Sequence, residues 1–291
     1  MSDVLDLPLL LRCAFIAAIA VAATACSAAD DPAAFDDEVA ADASTDGASP
    51  EDDARVGVDA GENDAHTEAG NGCPEGMARL DTFCVDRYEA QVVDVDDAGI
   101  ERPHSPYDVI VGRVRAKAAA GVVPQGYISQ VQAAAACAES NKRLCTAVEF
   151  ASACRGSADA GSYYPYGGKT KIVGACNEGK GSFVPKLFGP DAQAWTYDDF
   201  NDPRLNQIDG GLARTGAYAS CVSPAGVHDC VGNLHEWGAD PADAKGHGRF
   251  RGGFYGDAEL NGPGCLYVTS AHELTYHDYS TGFRCCADAA P

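Results

Sequence analysis

The chain has 291 residues, 46% hydrophobic and 22% charged, which suits one mid-sized folded domain with appendages rather than two full domains. Its formal net charge of −22 argues against nucleic acid as a partner. The charge is uneven: residues 27–72 carry 14 Asp and Glu against the single Arg55, so most of the acidity belongs to that stretch.

In chain order, residues 9–23 are almost wholly apolar yet short for a membrane span. They end at Ala23, Thr24, Ala25 and Cys26, small residues followed by cysteine, which resembles a bacterial lipobox. Residues 1–26 are therefore expected to be a lipoprotein-type signal peptide, with Cys26 the lipidated first residue of the mature protein. This implies export and lipid anchoring in a bacterial envelope. Ser27 after the cysteine favours the outer membrane, whose lipid becomes a partner through Cys26. Residues 27–72 are rich in Ala, Asp, Glu and Gly, with Phe35 their one aromatic, and cannot bury enough apolar surface to fold. They read as a disordered acidic tether extended by charge repulsion.

The folded domain is expected over residues 73–288, followed by a tail at 289–291. It holds 11 of the 13 cysteines. Export makes disulfides the expected state, and no paired C-x-x-C knuckles speak for zinc. The odd number leaves at least one cysteine unpaired within a monomer. Cys73 and Cys84 flank a segment that reads as a hairpin and can be clipped across its base. The run from Cys84, CVDRYEAQVVDV, predicts a strand, while residues 96–121 give no clear pattern. Ser129 predicts a cap for an alanine-rich helix over residues 130–140. Thr146 with Glu149 three residues on is a capping box for a second helix, with Ala147, Phe150, Ala151 and Cys154 as its core stripe and Gly156 as its stop. From there to residue 211, Gly, Pro, Asn and Asp dominate, which predicts packed loops. Short strands are expected again at 249–255 and 281–286.

Several motifs then fall in a fixed order: FCVDRYEA, C-x6-LCTAVEFASACRG, YPYG, CN, GVHDCVGNLHEW, FRGGFYGD and STGFRCC. As an ordered set they resemble the sulfatase-modifying-factor, or formylglycine-generating-enzyme-like, family. The resemblance implies an α+β fold, that family's variant of the C-type-lectin fold. It would have two short helices, short antiparallel strands, much ordered coil and many disulfides. It also implies a structural calcium, held by the side chains of Asp229 and Glu236 with the carbonyls of Gly232 and Leu234. A second calcium site would begin at Asn177 and its neighbour Glu178. Mixed carboxylates and carbonyls suit that hard cation. His228 and His235 are expected to be structural. For the cysteines, the resemblance implies Cys137 with Cys285 or Cys286, Cys145 with the other of that pair, Cys154 with Cys265, and Cys176 with Cys221. Cys230 is left as a free, buried thiol.

The family's enzyme oxidises a substrate cysteine to formylglycine with copper and dioxygen, using two cysteines after a GGS-type strand. Here Phe254 stands at the serine position and Asp257 at the first cysteine position, and around Gly262 there is no second cysteine, the next, Cys265, being read as structural. Aspartate is a poor ligand for Cu(I), so neither copper nor iron is supported by the sequence. The reading that follows is an exported, lipid-anchored binding or accessory module, with an unidentified protein or small molecule as ligand. The alternative is a non-standard metal-dependent oxidoreductase. Its candidates are His272, His277 and Asp278 in SAHELTYHDYS, with Asp257, since two histidines and a carboxylate can form a facial iron site. Asp257, Glu259 and Glu273 are otherwise candidates for lining a polar cleft.

Overall fold

Asp81 and Thr82 make the first tight turn. Asp81 adopts φ 52, the left-handed conformation such a turn needs, and it joins β1 (Met77–Leu80) to β2 (Phe83–Asp86) with Leu80 opposite Phe83. This computed structural model of the chain describes residues 72–157, 161–241, 243, 245–270 and 272–290. All of them fall in one unit, Asn63–Pro291. The signal peptide, Cys26 and the tether up to residue 71 lie outside the described residues. No helix among the described residues is long and apolar enough to cross a membrane.

The strand expected from Cys84 is two strands. β2 ends at Asp86, and β3 (Ala90–Val95) belongs to a different sheet. Between them Glu89 is completely buried, with its carboxylate turned to the loop at 233–234. β3 is flanked by β4 (Glu101–Pro103) and β5 (Val114–Ala118), both antiparallel to it. The unreadable stretch after residue 95 thus supplies the two outer strands of a three-stranded sheet, entered through a turn in which Asp96 Oδ1 accepts from the amides of Ala98 and Ile100.

Helix α1 (Gln130–Glu139) begins at Ser129 with a full capping box: the Ser129 side chain accepts from the Gln132 amide and the Gln132 side chain returns to the Ser129 amide. Its small residues Ala133 and Ala136 let it lie close on a core with Ala116, Leu144, Trp237 and Phe283. After β6 (Arg143–Leu144), α2 (Ala147–Arg155) starts at the Thr146–Glu149 box and stops at Gly156, whose φ of 80 is left-handed. Its buried face differs from the expected stripe. Phe150 and Cys154 are buried, but with Ala153 and Glu149, while Ala147 and Ala151 are half-buried. Glu149 turns inward because its carboxylate serves both the Thr146 amide and Arg143.

The segment expected to be only loops contains α3 (Val184–Phe188), α4 (Tyr197–Phe200) and a 3-10 turn at Leu205–Gln207. α4 carries its own capping box, Thr196 with Asp199. The remaining strands are β7 (His235–Trp237), β8 (Phe250–Arg251), β9 (Val268–Thr269), β10 (Thr281–Gly282) and β11 (Cys285–Asp288). β8 is shorter than the 249–255 expected. Gly252 and Gly253 turn left-handed there, and a Cβ on Gly252 would lie 2.4 Å from the Cys230 carbonyl oxygen. One sheet runs β10-β7-β8-β9, with β10 and β7 parallel and the others antiparallel. Another runs β1-β2-β11-β6, which places the last strand of the chain at its centre.

Five disulfides join these parts: Cys73–Cys84, Cys137–Cys285, Cys145–Cys286, Cys154–Cys265 and Cys176–Cys221. The alternative at Cys137 resolves to Cys285. Cys230 is free and buried.

Candidate functional site

The loop at residues 226–237 is built on repeated left-handed turns of the backbone. Asp229 and Asn233 both adopt left-handed φ, 58 and 57, and Gly232 lies between them at 76. Gly232 has no substitute, because a Cβ there would fall 2.1 Å from the Asn177 carbonyl oxygen. Polar groups brought from far away hold the turn. Glu89 Oε1 accepts from the Leu234 amide at 3.0 Å and Oε2 from Asn233 Nδ2 at 2.5 Å. Asn177 Nδ2 donates to Asn233 Oδ1 at 2.7 Å and to the Gly211 carbonyl at 3.0 Å. Asp229 Oδ2 accepts from the Gly216 amide at 2.6 Å. Burial above all, offset by that bond and by Arg284 and reinforced by Glu236, raises the Asp229 carboxyl to about 6.

Arg284 is the residue the sequence left without a role. It is 1% exposed. Its Nε and Nη2 each lie 2.6 Å from the two Glu236 oxygens, and its other donors reach the carbonyls of Asp86 and His228. This bears on the expected calcium ligands Asp229, Gly232, Leu234, Glu236 and Asn177. Both oxygens of Glu236 are engaged by a buried guanidinium, so the loop set does not fit a cation through that residue. Asn177 does fit: its Oδ1 is buried with no hydrogen-bond partner among the described residues, the state of an acceptor open to a hard cation.

Beyond this loop lies the strand end, residues 252–263. Phe254 packs its ring against His235 at 4.9 Å and Tyr279 at 5.8 Å between centroids. Phe250 and Tyr267 cover two more sides of His235. Burial, with a smaller effect of His272, lowers the His235 imidazole to about 3, so it is neutral. Asp257 caps a turn, its Oδ1 accepting from the amides of Glu259 and Leu260 at 3.0 and 3.1 Å. His272 stacks on Tyr276 at 3.9 Å. His277 bonds Asn201 Oδ1 through Nδ1 at 2.7 Å. Asp278 is buried and accepts from Ser280 and from the Tyr276 hydroxyl. The structure thus gives His272, His277 and Asp278 separate partners, and among the described residues no three His, Cys, Asp or Glu side chains are grouped to hold a metal.

Two groups were missed by sequence reasoning. One is Arg284, inside the STGFRCC motif but with no local sign of its partners. The other is a polar cluster of Tyr164, Lys171, Glu178 and Glu259. Lys171 Nζ lies 3.2 Å from both Glu178 Oε2 and Glu259 Oε2, and the Tyr164 hydroxyl donates to Glu259 Oε1 at 3.1 Å. Of the suggested cleft residues, Asp257 and Glu259 meet here, while Glu273 pairs through its backbone with His247.

The sequence matches the family described as the sulfatase-modifying factor enzyme 1-like domain over residues 40–289. The chain belongs to this family. Among solved structures it is similar to the Major Tropism Determinant I1 variant, at 13% identity and a TM-score of 0.43 over 74% of this chain and 53% of that one. It is also similar to PvdO from Pseudomonas aeruginosa, at 14% identity and 0.41 over 71% and 80%. For CarF the values are 16% identity and 0.40 over 72% and 87%. The chain spans about half the length of the first of these. No curated protein matches the sequence. Family membership agrees with the α+β build, its few short helices, its ordered coil and its five disulfides. Within the matched region Phe254 is a packed phenyl ring and Asp257 a turn-capping carboxylate.

Proposed function

We propose that this chain is an exported, lipid-anchored protein that presents a sulfatase-modifying-factor domain as a binding or accessory module, without the family's cysteine-oxidase chemistry. The observation that carries the reading is the state of the thiols. Ten of the described cysteines are in disulfides, and Cys230, the one free cysteine among them, is buried. Burial pushes its thiol up to about 12, far from the thiolate a Cu(I) site requires. Asp257 offers a hard oxygen where a soft sulfur is needed. Incubation with copper, dioxygen and a Cys-x-Pro-x-Arg peptide tests this, with unchanged peptide as the expected product; formylglycine in the peptide overturns it.

The five disulfides support an oxidising compartment. Lipid attachment at Cys26 is the anchoring step in this reading. Cys26→Ser is expected to release the protein from the membrane fraction, and retention there rules the anchor out. Calcium enters through Asn177 rather than Glu236. Added calcium is expected to raise the melting temperature in the parent protein and not in Asn177→Ala; equal shifts in both sink the assignment.

A further inference from the structure

The polar cluster beside the strand end contains an unusual carboxylate. The Glu178 side chain is 1% exposed; its Oε1 has no polar partner among the described residues, and its Oε2 has only the ammonium of Lys171. Its counter-charge is Lys171, 3.2 Å from Oε2. A buried carboxylate with so little around it is costly unless a cation is always at hand. That cation is shared: the same Nζ is 3.2 Å from Glu259 Oε2, whose side chain is 49% exposed. The ammonium therefore sits between a buried and a surface carboxylate, with Asp257 close enough to add its charge at Glu178. Two carboxylates share one ammonium.

The surroundings are stiff where they hold the acids and apolar where they meet solvent. Tyr164, stacked on Tyr166, fixes Glu259 by its hydroxyl. The two contributing segments are joined by the Cys265 amide bonding to the Tyr163 carbonyl and by the Cys154–Cys265 bridge. Next to Lys171 and Glu259 in the chain stand Ile172, Val173 and Leu260, which are 57%, 89% and 83% exposed. Lys171 itself reaches in on a flexible stem from a chain segment whose next residues are exposed.

We propose that this cluster binds the alkylammonium group of a ligand, which displaces Lys171 from between Glu178 and Glu259 while its apolar stem lies against Ile172, Val173 and Leu260. The exchange replaces one ammonium by another, so the buried carboxylate is never left bare. The proposal rests on the reading of the domain as a binding module. The two fail separately, because a peptide-oxidation result says nothing about ammonium binding.

The test is a titration of the disulfide-intact protein with n-pentylammonium and, as the neutral isostere, n-pentanol, followed by NMR. Saturable binding of the ammonium alone is expected. Glu259→Gln, at a half-exposed position, is expected to weaken it about tenfold, and Lys171→Met, which removes the internal competitor, to strengthen it about tenfold. Equal responses to the two probes overturn the proposal, as does binding that ignores Glu259→Gln. Should Lys171→Met fail to fold, the Glu259→Gln comparison decides alone. Nα-acetyl-lysine amide and cadaverine, run on the same proteins, assign the ammonium to a polypeptide side chain or to a free amine.

Discussion

Glu236 shows how far from its sequence neighbours a side chain's partner can lie. Its place in the loop, between carbonyls and near Asp229, suggests a cation ligand, and its carboxylate does face a cation, the guanidinium of Arg284. That partner lies 48 residues away, beyond any local pattern. Glu236→Gln is expected to destabilise the domain by about 3–5 kcal/mol, because it leaves Arg284 buried and uncompensated. Denaturant unfolding with and without calcium measures this, and the loss should be the same in both. A second residue-scale expectation concerns His235. Its folded pKa of about 3 lies below the value of an unfolded histidine, so between those values the unfolded chain binds the proton and the folded one does not. Stability from this group is complete above pH 6.5 and is lost as the pH falls towards 3, by an amount on the order of several kcal/mol. His235→Phe keeps a ring against Phe250 and Phe254 and removes the titration. Its stability should therefore fall less steeply than the parent's between pH 6.5 and 4. The slope should not vanish, because burial also lowers His228, His272 and His277.

At the scale of elements, legibility follows how local the determining interactions are. Capping boxes are local, and those at Ser129 and Thr146 place both main helices within a residue. The box at Thr196 has the same signature but opens a single turn, too short for an apolar stripe to announce. β4 was unreadable because it has three residues and mostly exposed side chains, so no alternation can develop. The core face of α2 was misplaced because Glu149 is buried by its own cap and by Arg143, and an acid is the last residue a hydrophobic pattern assigns inward. That cap is testable. Thr146→Ala removes the acceptor for the Glu149 amide and the hydroxyl partner of its carboxylate, at an expected cost of about 1 kcal/mol. Loss of the Arg143–Glu149 pair as well, in Glu149→Ala, should cost more than Thr146→Ala, and chemical denaturation ranks the two.

For the whole molecule, so much irregular chain holds one conformation because the bridges share loops. Cys137–Cys285 and Cys145–Cys286 span 148 and 141 residues, and Cys154–Cys265 spans 111. Those separations overstate what each bridge does alone. While Cys145–Cys286 is intact, Cys137–Cys285 closes a ring of only about ten residues, which in the chain-entropy account is worth about 2.7 kcal/mol. The same holds with the roles exchanged. When both are absent, the next constraint is Cys154–Cys265, and the ring left open grows to about 30 residues. Replacing both pairs by serine should then cost roughly 1 kcal/mol more than the sum of the two single-bridge variants. Equilibrium unfolding of the three variants under oxidising conditions measures that excess. Strict additivity would mean that α1 and the C-terminal strand are held in register by their packing and hydrogen bonds alone. A positive excess would show that the vicinal cysteines on β11 work as one clamp, closing that strand onto α1 and onto the link between β6 and α2.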